Sequence, residues 1–263
     1  MTARLLSRTA VSAAAALALT LVPGAAEAKF DHGERPSARA KPLAGRVVVI
    51  DPGHQLGNPN FPRQINRQVP AGGFRKACNT TGTSTNRGYP EATFNWQVAR
   101  RLRARLVDLG AKVVLTRTSN RQDRWGPCVD TRGRAGNRVG ADLKLSIHGD
   151  GSYASGARGF HVIAPTDRRR WTRDIVKPSR KLALTVRRAL RGAGFPLANY
   201  TAGGDGLDFR GDLGTLNLSD VPTVMVELGN MRHRRDARRM TSAAGQADYA
   251  DGLKRAVLRY LTR

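Results

Sequence analysis

The chain has 263 residues, 40% of them hydrophobic, and a formal charge of +25 from 45 Lys and Arg against 20 Asp and Glu. Such a chain holds one large domain or two small ones and has enough apolar content for a core, which excludes a wholly disordered protein. Two cysteines exclude a disulfide-rich miniprotein or a four-cysteine zinc module, no apolar run reaches the roughly 18 residues of a membrane span, and the charge points to an anionic partner such as nucleic acid, lipid headgroups or an acidic wall polymer.

Residues 1–28 read as a Sec-type signal peptide. Arg4 and Arg8 precede an apolar, Ala-rich run at 9–22, Pro23 and Gly24 break it, and Ala26-Glu27-Ala28 forms an A-x-A cleavage site. A secreted protein is therefore expected, and cleavage would remove Arg4, Arg8 and Glu27, taking the formal charge from +25 to +24. Residues 29–44, rich in Lys, Arg, Pro and Ala, read as a basic linker. In an oxidising compartment Cys78 and Cys128 are expected to pair, closing a loop of about 50 residues; the alternative is two unpaired buried thiols.

Residues 45–263 read as one α/β domain. The β-branched run 46–50 suits a strand buried on both faces and ends in the turn Asp51-Pro52-Gly53. A Gly-, Pro-, Asn- and Thr-rich segment at 55–90 is too long for an ordinary connection, which suggests a functional loop. Phe94, Val98, Leu102, Leu106 and Leu109 repeat at helical spacing, so a helix is predicted over 91–109 with Gly110 as its stop. Strands follow at 112–116 and 143–147, with a short helix near 130–139 between them. A strand at 160–163, a helix marked by Leu182, Val186 and Leu190, and a strand at 223–226 come next. Leu253, Ala256, Val257, Tyr260 and Leu261 mark a closing amphipathic helix. Alternating strands and helices predict a mixed or mostly parallel twisted sheet of about six strands with helices on both faces.

Open α/β sheets gather their sites at the C-terminal ends of strands. His54, His148 and Glu227 are expected just past three such ends, and Glu91 opens the first long helix. Two imidazoles and a carboxylate are a common ligand set for catalytic zinc, and a second carboxylate can serve as general base. Each residue also has a plainer reading. The histidines could be ordinary loop or strand-end residues, Glu91 could complement a helix dipole, and Glu227 could be a paired core acid.

The motifs VVVIDPGH (47–54), Glu91 at the helix start, LSIHGD (145–150) and PTVMVELGN (222–230) occur in that order. Together they resemble the zinc-dependent N-acetylmuramoyl-L-alanine amidases, from about Arg46 to Leu261, nearly the whole mature chain. The resemblance implies a six-stranded sheet with flanking helices. It implies zinc ligands at His54, Glu91 and His148, and a general acid/base at Glu227. Arg132, Asn137 and GDLGTLN (211–217) also look like the family's pattern, in supporting roles. The implied activity is secreted peptidoglycan hydrolysis at the amide between N-acetylmuramic acid and the L-Ala of the stem peptide. Implied partners are peptidoglycan or muropeptides, with anionic wall polymers as electrostatic contacts and no nucleic acid or membrane span. A monomer is expected, since no heptad repeat is present. The alternatives are a non-catalytic or autoinhibited wall-binding protein on the same fold, and a related hydrolase cutting within the stem peptide. Gly149-Asp150 after His148, and His233 where the family often has Asn, depart mildly from the pattern. His32 and His161 fit no ligand set. Asp205, Asp208 and Asp212 lack the EF-hand spacing for calcium. Asn79 and Asn217 fall in glycosylation sequons that short sequences often produce by chance.

Overall fold

In the computed structural model of the chain, which describes residues 41–201 and 203–262, the apolar run after Gly45 is an inner strand of a six-stranded sheet. The expected signal peptide and residues 29–40 of the expected linker lie outside the described residues. The elements run β1 (Val47–Pro52), α1 (Pro62–Asn66), β2 (Gln68–Pro70), β3 (Arg75–Ala77), α2 (Glu91–Asp108), β4 (Lys112–Leu115), α3 (Val129–Gly133) and β5 (Leu143–Asp150). They continue with β6 (His161–Pro165), α4 (Arg173–Gly192), β7 (Leu207–Arg210), α5 (Gly214–Asn217), β8 (Thr223–Asn230), α6 (Arg234–Thr241) and α7 (Ala243–Leu261). The sheet order is β4-β1-β5-β8-β6-β7. The first four strands of that order are mutually parallel, whereas β6 lies antiparallel to β8 and β7 follows β6. β2 and β3 pair separately as a short antiparallel ribbon.

The two faces of the sheet differ in chemistry, because side chains alternate along each strand. Val48, Ile50, Leu143, Leu145, Ile147, Val224 and Val226 point one way and pack with Phe94, Val98, Leu102 and Leu106 of α2, Leu182 and Val186 of α4, and Leu253 and Val257 of α7. This is the core that the helical periodicity of α2 and α7 anticipates. The opposite face meets the short helices α3 and α5 and is partly polar. There Ile163, Met225 and Leu216 form a small cluster, and the buried ammonium of Lys144 donates to the carbonyls of Arg132, Gly133 and Thr215. Those three bonds fasten α3 and α5 to β5, and burial pulls the Lys144 pKa down to about 7.

Four expectations change. β5 and β8 continue past residues 147 and 226, so His148 and Glu227 lie within strands rather than beyond their ends, as register partners on neighbouring strands. The ladder breaks register between His148 and Asp150. The segment 55–90, read as one long loop, contains α1, β2 and β3. The helix expected near 130–139 divides into α3 and a separate turn at Asn137–Val139. Finally, residues 41–44, read as the end of the linker, pack against the domain: Leu43 is fully buried and its N–H bonds the Leu109 carbonyl at 2.9 Å.

Candidate metal centre

The site forms where β1 and β5 end beside the start of α2. Gly53 continues the ladder by donating its N–H to the Ile147 carbonyl at 2.9 Å. It has to be glycine, since a Cβ there would stand 2.2 Å from the His148 ring. His54 then takes φ +57°, a left-handed conformation uncommon for a residue with a side chain. Its Nδ1 lies 3.1 Å from the Thr80 carbonyl, which places a proton on Nδ1 and leaves Nε2 as the nitrogen directed at the site. That Nε2 is 3.2 Å from Glu91 Oε2.

Glu91 is the first residue of α2, where the helix dipole favours a carboxylate. Its Oε2 accepts the Thr83 N–H at 2.9 Å, and its Oε1 accepts from Asn95 Nδ2 at 3.1 Å and from the Gly149 N–H at 3.2 Å. His148 Nδ1 is 3.0 Å from the same Oε1, and the two imidazoles meet edge to face with centroids 5.0 Å apart. Burial alone would raise the Glu91 carboxyl and lower the His54 imidazole. Their mutual attraction, with the His148 hydrogen bond, overrides it, holding Glu91 well below and His54 above their ordinary ranges.

Glu227 faces the same space from β8, lining a cavity of about 260 Å³ with His54, His148, Arg132, Arg210 and Met225. Its Oε2 is buried without a hydrogen-bond partner among the described residues. Burial and the neighbouring charges of Glu91 and Asp150 push its carboxyl well above the usual range, with Arg210 opposing them.

Behind these groups stands a buried ion pair. Arg132 Nη1 contacts Asp51 Oδ1 at 2.6 Å and the Pro52 carbonyl at 2.8 Å, and its Nη2 donates to the His54 carbonyl at 2.7 Å. Arg132 therefore braces the turn that carries His54. Asn137 bonds Asp220 and the Leu218 carbonyl, linking the turn after α3 to the approach to β8. Cys78 and Cys128 form a disulfide that ties β3 to the start of α3.

Three residues expected to share chemistry thus lie together. One donor atom each from His54, Glu91 and His148 falls within 4.8 Å of the others, and no second such group occurs among the described residues. A tetrahedral zinc with bonds of about 2.0–2.2 Å holds its donors about 3.3–3.6 Å apart. Each imidazole stands near that distance from its own Glu91 oxygen, His54 at 3.2 Å from Oε2 and His148 at 3.0 Å from Oε1. With one donor atom from each residue, all lie within 4.8 Å of one another, so the donor set fits such an ion after a small adjustment. The aspartates of the Gly-rich loop do not converge: Asp205 pairs with Arg187 and Asp212 with Arg210. His161 is buried in β6 opposite Glu227 in register, and His233 is partly buried beside Asp236. Asn79 and Asn217 are buried and donate to backbone carbonyls, so their sequons are structural asparagines. Sequence reasoning missed Asn95, Thr80, Thr83 and Arg210. Asn95 was findable, since it stands four residues after Glu91 on one helix face. Arg210 was not, because its strand carried no recognisable pattern.

Residues 48–259 match the N-acetylmuramoyl-L-alanine amidase family. The chain is 45% identical over 230 residues to the N-acetylmuramoyl-L-alanine amidase Rv3717 of Mycobacterium tuberculosis, covering 86% of this chain and 91% of that one. The crystal structure of the N-acetylmuramyl-L-alanine amidase Ami1 from Mycobacterium smegmatis is similar with a TM-score of 0.77 and 38% identity, covering 83% of this chain and 98% of that one. The apo form of Ami1 from Mycobacterium abscessus gives a TM-score of 0.77 and 40% identity, with 83% and 100% covered. With the match spanning nearly the whole described domain, this chain belongs to the N-acetylmuramoyl-L-alanine amidase family.

Proposed function

We propose that the protein is a secreted, zinc-dependent amidase that hydrolyses the bond between the lactyl group of N-acetylmuramic acid and the L-Ala of the stem peptide. The observation that carries this reading is the convergence of His54, Glu91 and His148 with the Glu227 carboxylate facing the same cavity. Secretion is supported by the signal-peptide pattern at 1–28 and by the disulfide, which persists in oxidising compartments.

His54 Nε2, a carboxylate oxygen of Glu91 and His148 Nδ1 would hold the ion. Bound zinc supplies a Lewis acid and lowers the pKa of a water to about 7. The chain's own groups do the rest. Thr80 fixes the His54 tautomer, and Asn95, Thr83 and Gly149 hold the Glu91 carboxylate in place. Glu227 Oε2 takes a proton from the water as its oxygen bonds to the amide carbon. When the C–N bond breaks, the same oxygen returns that proton to the departing nitrogen of L-Ala. Its buried, unpartnered position and raised pKa suit a group that must accept and then release a proton.

Glu227→Gln tests the assignment. The variant keeps the donor set, so it should bind zinc as the parent does while losing turnover by at least about 10²-fold. Parental turnover in a metal-loaded variant would refute the role.

A further inference from the structure

A cavity of about 640 Å³, larger than the one beside Glu227, is built from the segment leading into α2 and the chain that follows β8. Tyr89, Met231 and Ala237 give it an apolar lining, with Met231 fully buried. Four arginines complete it: Arg87 from the turn before α2, Arg232 after β8, and Arg234 and Arg238 one turn apart on α6. No acidic residue lines it, and among the described residues none of the four arginines forms an ion pair. Like charges four residues apart on a helix repel, so α6 holds Arg234 and Arg238 against a local penalty.

Arg232 adds a second, independent sign. Its guanidinium lies 4.7 Å over the Tyr153 ring, Nη1 donates to Asn86 Oδ1 at 3.3 Å, and Nη2 donates to Thr83 Oγ1 at 3.4 Å. Its Nε is buried with no acceptor. A buried cationic N–H without an acceptor is costly and points to a missing partner. The same Thr83 donates its N–H to Glu91 Oε2 and accepts the Glu91 N–H on its carbonyl. Thr83 thus links Arg232 of the cavity to Glu91 of the metal centre through hydrogen bonds.

We propose that this cavity binds the carboxylate-bearing peptide arm of a wall fragment. Guanidinium groups match carboxylates in a bidentate fashion. The apolar lining suits an aliphatic side chain, which an inorganic anion does not offer. Which peptide it takes rests on the amidase reading; that it takes a peptide carboxylate does not, and the test requires no turnover.

Calorimetric titration of the protein with acetyl-Ala-Glu, with its diamide and with inorganic phosphate separates the cases. Acetyl-Ala-Glu should bind saturably, and the diamide at least about tenfold more weakly. Arg234→Gln with Arg238→Gln, two exposed positions, should weaken the dipeptide by a similar factor without shifting the melting temperature. On peptidoglycan the same double variant should raise KM while leaving kcat within about twofold. Equal dipeptide binding by parent and double variant would overturn the proposal, as would equal binding of the diamide. Phosphate binding that is tighter than the dipeptide's and lost in the double variant would overturn it in favour of a phosphate site. If the parent binds acetyl-Ala-Glu but leaves peptidoglycan uncut, the amidase reading fails and the cavity assignment stands. If it cuts peptidoglycan but does not bind the dipeptide, only the cavity assignment fails.

Discussion

Asp51 shows how much of the site depends on one residue that touches no substrate. It is fully buried at the end of β1, and its carboxylate accepts from Thr116 and Ser146 as well as from Arg132. Burial alone would raise its pKa, but those three partners hold it well below the usual carboxylate range. A depressed folded-state pKa contributes stability that is fully present above the unfolded value of about 3.9 and is lost as pH falls below it. Asp51→Asn should therefore lower stability at neutral pH by about 3–5 kcal/mol, because Arg132 is left buried and unpaired. It should also flatten the decline of stability below about pH 4. Thermal melting against pH checks both, and parallel acid limbs for parent and variant would contradict this role for the pair.

At the scale of elements, the covalent tie between β3 and α3 holds the segment 55–90 beside the centre. That segment supplies Thr80 to His54 and Thr83 to Glu91, although it contains only short elements. The Cys78–Cys128 bridge spans a sequence separation of 50, for which chain entropy gives a stabilisation of about 4 kcal/mol. Paired Ser substitutions should lower the melting temperature, and the fall should match that of the parent in reductant. Unchanged melting would place the stability of this segment elsewhere. The elements that were legible beforehand are those whose burial imposes a period. α2 shows it in Phe94, Val98, Leu102 and Leu106, β1 shows an apolar run, and β5 shows alternation in Leu143, Leu145 and Ile147. α6 was not legible, because only Asp236 and Met240 of its eight residues are buried, so no apolar stripe forms. β2 and β3 have three residues each, too few for an alternating pattern. The candidate site was legible through the resemblance that four motifs carry together; strand-end reasoning alone put His148 and Glu227 just past strands within which they in fact lie. The site's supporting contacts were not, because Thr80, Thr83 and Arg210 come from irregular or unpatterned chain.

For the whole molecule the dominant quantity is charge, +25 over 263 residues. Much of it lies away from the centre. Lys177, Lys181 and Arg188 of α4 line two adjoining cavities with Arg255 and Arg259 of α7, and α4 and α7 pack on the face of the sheet opposite α3 and α5. Such a surface would hold anionic wall polymers electrostatically, in a manner that added salt screens. Retention on insoluble cell wall should fall steeply between about 0.05 and 1 M salt, and retention independent of salt would rule charge out as its cause.

The most direct test is mass spectrometry of peptidoglycan fragments after incubation with the protein as purified, after chelation, and after zinc is restored. A zinc amidase should release intact peptides beginning at L-Ala and leave lactyl carboxylates on the glycan. Chelation should stop the release and zinc should restore it. Cleavage at a different bond, or release that persists after the metal is removed, would contradict the function assigned to His54, Glu91, His148 and Glu227.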